Sequence, residues 1–191
     1  MNRLKFLFFC TLLFTLIAAQ PAYSQGKITL NEQFYQDGNF SIGMLNPVDE
    51  PFEQYKPVEM DYKVVKHVSR IDDDIELTAL YLNYYRAPDA PSFWEQDAAT
   101  RGAVMAAVIA TDVPMSEDFG FTKLKEENSE VNDYHQKDIY YGLLVNEEKY
   151  IFAFRFIRRG GDEYVLAYRA ALDAESKLSA EDFFNTFKLV K

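Results

Sequence analysis

Arg155 and Arg169 are the residues whose type and spacing best suit chemistry. They sit in two successive segments that alternate like strands. A three-residue break at 160–162 would put both on one sheet face, beside Gly142, Ala153, Ala167 and Ala171. A guanidinium is a planar fork that matches carboxylate or phosphate in two hydrogen bonds. Both residues are therefore candidates for holding an anionic ligand. The plainer reading packs their stems on Tyr140 and sends their heads to acids at the rim. It is preferred because the chain carries 30 Asp and Glu against 20 Lys and Arg.

Other chemistries find less support. Asp72, Asp73 and Asp74 are contiguous carboxylates, the ligand type of hard cations. A calcium loop spreads its ligands over alternate positions around a glycine, so this stretch reads as a solvated turn. His67 and His135 stand at no ligand spacing and read as structural residues. Cys10, the single cysteine, lies inside an N-terminal apolar run. There is no Gly-x-Ser-x-Gly elbow and no phosphate loop. The expectation is no enzyme: no catalytic residue, no cofactor and no metal site.

The segments that would position the arginines run from 139 to 171. Tyr150 to Ile157 is aromatic and β-branched, which suits a pleated surface. Asn146 to Lys149 and Gly160 to Asp162 read as hairpin loops of four and three residues. This register gathers Tyr141, Leu143, Phe152, Phe154, Phe156, Leu166 and Tyr168 on one aromatic face. The small residues and both arginines fall on the other. Two apolar faces imply a sheet covered on both sides.

Val58 to Arg70 and Ile75 to Tyr85 read as a further hairpin. Gln25 to Phe34 reads as a flexible arm, Asn39 to Leu45 as a strand and Asn46 to Pro57 as a surface loop with three prolines. Ser92 and Glu95 form a capping box that predicts a helix over 93–110. Its alanines and Gly102 would let it lie close over the small sheet face. Ser179 and Asp182 cap a short helix through Phe187, whose Phe183, Phe184 and Phe187 would dock on the aromatic face.

Residues 1–24 have the form of an export signal. Arg3 and Lys5 precede a short apolar run from Phe6 to Ala19, and Ala22-Tyr23-Ser24 offers a cleavage site. Residues 25–191 would then form a single globular domain, exported to the periplasm or secreted, without cysteine and without stable membrane insertion. Loss of Arg3 and Lys5 takes the formal charge from −10 to −12. So acidic a protein lacks the basic patches that phosphates need, which excludes nucleic acid as a partner.

The closing Asp182-Phe-Phe-Asn-Thr-Phe-Lys188, the opening Asn39-Phe-Ser-Ile-Gly-Met44 and the order of elements between them resemble the PsbP-like superfamily. That superfamily includes the extrinsic photosystem II subunit, a nuclear Ran-binding import factor and exported bacterial members. No motif specific to the photosystem or Ran-binding branches is present. The resemblance implies an α+β fold, an antiparallel sheet covered by helices on both faces (an α/β/α sandwich). It also implies a non-catalytic accessory domain, whose partner would be another envelope or extracellular protein. The alternatives are a carrier of a small apolar ligand between sheet and helix, and a hydrolytic enzyme.

Overall fold

A computed structural model describes residues 27–46, 48, 52–58, 60–71, 74–83, 95, 117–131 and 134–190. The described residues form ten strands: β1 (Asn31–Tyr35), β2 (Phe40–Met44), β3 (Phe52–Val58), β4 (Met60–Ile71), β5 (Ile75–Asn83), β6 (Thr122–Val131), β7 (Tyr134–Val145), β8 (Glu148–Arg159), β9 (Asp162–Ala171) and β10 (Lys188–Leu189). One five-residue helix, α1 (Ala180–Phe184), is the only α-helix among them.

The strands make two antiparallel sheets. The larger has the order β3-β4-β5-β9-β8-β7-β6, and the smaller β1-β2-β10. The β6–β7–β8–β9 meander and the β3–β4–β5 meander therefore meet where β5 pairs with β9. The turn between β7 and β8 is just Asn146-Glu147, with φ of 50° and 72°. Two positive φ values in a two-residue loop match the twist of the strands they join. Gly160 at φ 59° and Gly161 likewise join β8 to β9.

At the centre of the larger sheet β5 and β9 are buried on both faces, as the two-sided apolar pattern required. On the first face, Leu77, Ala79, Leu166 and Tyr168 belong to one core cluster with Phe40, Ile42 and Met44 of β2 and with Phe183 and Phe184 of α1. On the second face, Leu80, Ile139, Phe152, Phe154, Phe156 and Val165 cluster with Phe121, which meets Phe152 edge-on at 5.4 Å.

The expected α/β/α sandwich is overturned. The described residues are mostly strand, and the first face is covered by a second sheet together with one short helix. The physical reason lies in β2. Its five residues are all buried, which requires neighbours on both edges, and these are β1 and β10. The reading of 25–34 as a loose arm and of 46–57 as a loop missed β1 and β3. The helix expected over 93–110 lies, apart from Glu95, outside the described residues.

The helix α1 is too short to hold itself in water. Ser179 accepts a hydrogen bond from the Asp182 amide at 3.1 Å, and the Asp182 carboxylate accepts one from the Ser179 amide at 3.4 Å. Phe183 and Phe184 are fully buried, each worth roughly 1.5–3 kcal/mol. That outweighs a cap of about 1 kcal/mol, so packing holds the helix. Its phenylalanines dock on the first face, not on the aromatic second face. Phe184 meets Tyr140 at 6.5 Å, and Phe187, just past the helix, meets Tyr164 at 5.3 Å.

The strand β6 ends the larger sheet with all but its last residue exposed. Lys125 pairs with Glu127 at 3.0 Å, and a register shift falls between Lys123 and Lys125. Charge and a bulge are both devices that keep an open edge from pairing with another chain.

Candidate functional site

The structure separates the two candidate arginines. Asp162 belongs to β9, so the loop before it has two residues and not three. A one-residue change of register flips every side chain of a strand. Arg155 faces Leu166 on the first face, whereas Arg169 faces Phe152 on the second. The expectation that they share a face is therefore corrected, and no joint anion site exists.

Arg155 is already occupied. Its Nε donates to Asp138 Oδ1 at 2.9 Å and its Nη2 to Oδ2 at 2.7 Å. The guanidinium lies 5.0 Å from the centre of the Phe184 ring. The two side chains are 14% and 10% exposed, so water does not compete strongly for the pair. The fork that could have read a ligand carboxylate reads Asp138.

Arg169 belongs to a polar island on the second face. Its Nη2 is 3.7 Å from Glu76 Oε2, which also accepts from Arg70 Nε at 2.8 Å. Glu76 is 3% exposed. Burial lowers the pKa of Lys66 on the adjoining strand, and the charge of Glu76 partly restores it. Glu76 Oε1, Thr78 Oγ1 and Arg169 Nε are buried without a hydrogen-bond partner. Such atoms cost about 1–3 kcal/mol each, which the two-sided core must offset.

The histidines occupy unrelated environments. His67 is buried and stacks on Tyr35 with ring centres 3.8 Å apart. Burial pulls its pKa down to about 4, against a weaker upward pull from Asp37. His135 is exposed, with Nδ1 3.5 Å from Glu130 Oε1. Four strand-to-strand steps separate them in the sheet order, roughly 19 Å. Asp72 and Asp73 lie outside the described residues, and Asp74 is an exposed turn residue whose amide donates to the Ile71 carbonyl at 3.2 Å. Among the described residues no three His, Cys, Asp or Glu side chains gather as a metal site would require.

A cleft of about 360 Å³ opens at the end of the sheet where β6 turns into β7. Its walls include Ser129, Glu130, His135, Lys137 and Arg158, over buried Phe156 and Glu163. Ser, His and Glu stand close in sequence here. Glu130 pairs with His135, however, and Ser129 with Gln136. Alternation puts the Ser129 and His135 side chains on opposite faces of the sheet, so the three do not form a relay.

The opposite end of β7 and β8 carries a feature that the sequence reading missed. Seven large apolar side chains are exposed among the described residues, and five surround this one hairpin: Phe119 (50%), Leu124 (56%), Leu144 (62%), Val145 (43%) and Leu172 (43%). The tight turn at 146–147 leaves Leu144 and Val145 at the strand end. Leu124 packs over Gly142, with its Cδ1 3.4 Å from where a Cβ would stand. Leu172 is brought in by its amide, which donates to the Lys149 carbonyl at 2.8 Å. A neighbouring surface pocket of about 440 Å³ is lined by Asp74, Glu148, Lys149, Tyr150, Leu172 and Asp173, with Ala171. The available signal was Leu144-Val145 beside a polar turn. The sheet ends there, so both side chains stay exposed.

Among the described residues no helix is long and apolar enough to cross a membrane. No protein-family model matches the chain, and no curated protein matches it. Among solved structures it is similar to PA94 of Pseudomonas aeruginosa, a protein of unknown function, at 11% identity and a TM-score of 0.36, over 78% of this chain and 87% of that one. It is also similar to LpqN of Mycobacterium tuberculosis, involved in cell envelope biogenesis, at 11% identity and a TM-score of 0.37, over 76% and 93%. Likenesses this distant carry no argument about role, and the PsbP-like resemblance rests on the sequence pattern alone.

Proposed function

We propose that residues 25–191 form an exported, non-catalytic accessory domain that binds another envelope or extracellular protein through the β7–β8 hairpin corner. The carrying observation is the concentration of exposed apolar side chains there. Single exposed apolar residues are ordinary; five gathered at one end of one hairpin, on both of its faces, are what supports an interaction surface there. Aliphatic and aromatic side chains at the centre and charges at the rim are the anatomy of a protein interface.

The other readings draw less support. A carrier of a small apolar ligand needs an apolar enclosed pocket. The cavities bounded by described residues are open clefts with charged walls. A hydrolase needs polar groups that converge on one reacting atom. Arg155 is filled by Asp138, His67 is buried in a ring stack, and His135 stands apart from Ser129.

The test uses a benzophenone side chain introduced in the full chain separately at positions 124, 144 and 172, and at position 129 as a control, in cells that produce the protein. Irradiation is expected to give a discrete heavier adduct from position 144 and none from 129. Absence of any adduct from positions 124, 144 and 172 would refute the binding reading.

A further inference from the structure

We infer that the charged cleft where β6 turns into β7 binds a free α-amino acid with an apolar side chain. This site lies at the far end of β7 and β8 from the hairpin corner and does not depend on the protein-binding reading. Its volume of about 360 Å³ is at the small end of ligand pockets, which run from about 300 to 1,000 Å³. The registers build it from one face of the sheet. Glu130 pairs with His135, His135 with Arg158 and Arg158 with Glu163, in one line across β6, β7, β8 and β9. Two residues further into the sheet, Lys137 pairs with Phe156. Alternation keeps these six side chains on the second face.

Charge is sorted by depth in this cleft. Lys137 and Arg158 are largely covered, at 17% and 20% exposed, whereas Glu95 and Glu130 on the rim are 66% and 80% exposed. The one carboxylate of Glu126 serves both Lys123, at 2.9 Å, and Lys137, at 2.7 Å. Glu163, 1% exposed, stands across the ladder from Arg158. Among the described residues, three cations thus meet two carboxylates on the inner side, an excess of one positive charge. The 3.9 Å from Arg158 Nη1 to Glu95 Oε2 is longer than a hydrogen bond. Buried Phe156 lies beside Lys137 and forms an apolar floor.

An anion alone would have to pass the acidic rim of a chain of net charge −10. A cation alone would meet the inner positive charge. A zwitterion meets neither objection. Its carboxylate takes charge-assisted hydrogen bonds from Arg158 and Lys137, its ammonium turns outward to Glu95 and Glu130, and its side chain lies on Phe156.

The experiment is titration calorimetry on the full chain with three probes of one shape. L-Phenylalanine carries both charges, 3-phenylpropanoate lacks the ammonium and 2-phenylethylamine lacks the carboxylate. Saturable binding is expected for L-phenylalanine, with each analogue at least about tenfold weaker, the loss of one charge-assisted pair. Lys137→Gln and, separately, Glu130→Gln should each weaken L-phenylalanine by a similar factor, with circular dichroism to verify the fold. Glu130 is exposed, so its variant reads the site even where Lys137→Gln disturbs packing. No saturable binding of L-phenylalanine would overturn the inference. So would an analogue that binds as tightly as L-phenylalanine, or binding that a folded Glu130→Gln variant leaves unchanged.

Discussion

Acidification should weaken this protein in a way that one residue dominates. His67 is 6% exposed and stacked on Tyr35, whose hydroxyl is itself buried without a partner. Burial lowers the histidine pKa from 6.5 to about 4 in the fold. Below pH 6.5 the unfolded chain therefore binds a proton that the folded chain refuses. Stability that is fully present above that value is lost as pH falls through about 4. The shift is worth about 3 kcal/mol in full, at 1.36 kcal/mol per pKa unit. About 2 kcal/mol of it is gone between pH 7 and pH 4.5. Glu32 and Glu126, whose pKa values are lowered by their lysine partners, add their own losses mainly below 4.5. The window above lies above most of those losses. Urea unfolding at pH 7, 5.5 and 4.5 measures the effect. With a denaturant slope of about 1.5–2 kcal/mol per molar, the midpoint should fall by about 1 M. His67→Phe keeps a ring against Tyr35 and should flatten most of that dependence. If the variant loses as much midpoint as the wild type over this range, the burial argument for His67 is wrong.

Two further outcomes follow from the packing. Arg155→Gln strands the carboxylate of Asp138, 8% exposed, and should cost about 3 kcal/mol in urea unfolding. The double variant Arg155→Met, Asp138→Leu should cost less than that single change, because it removes both charges; a single variant within about 0.5 kcal/mol of wild type would contradict the pair's burial. Gly43→Ala would place a Cβ 2.8 Å from Leu30 Cβ and 3.0 Å from Thr186 Cγ2. It should lower stability by about 1–3 kcal/mol through overpacking, and an unchanged thermal midpoint would show that β2 has room to move.

What the sequence made legible was local. The aromatic run of β8, its hairpin partners and the two-sided burial of β5 and β9 follow from alternation and residue type alone. The capping box at Ser179 and Asp182 was equally plain. The errors came where distant partners decide. Asp162 resembles a turn residue, but its carboxylate accepts from Tyr81 Oη at 2.8 Å and from Asn83 Nδ2 at 2.7 Å. Those bonds draw it into β9 beside Asn83, and that one-residue extension moves Arg169 to the other face. At the β7–β8 turn, Glu148 and Lys149 read as loop because they are polar. An exposed strand end has the same composition, and the loop was shorter by two residues, which preserves the faces. The smaller sheet was illegible for a different reason. Lys188 and Leu189 give no strand signal of their own, and only Phe40 and Ser41 across the sheet make them one. The apolar corner was invisible because exposure depends on where a sheet stops.

The pairing of β10 with β2 sets an order on how this molecule can come together. Asn39 donates its side-chain amide to the Val190 carbonyl across 151 positions of chain. The β6–β9 meander joins neighbours in sequence and can close quickly, whereas a contact of that reach bears a large loop-closure cost. Until residues 180–190 arrive, Phe40, Ile42 and Met44 lack the strand and helix that finish their enclosure. The chain therefore stays open along one flank until residues 180–190 have been synthesised. During that interval it offers a chaperone an unsealed polypeptide, and an aggregating neighbour the same opportunity.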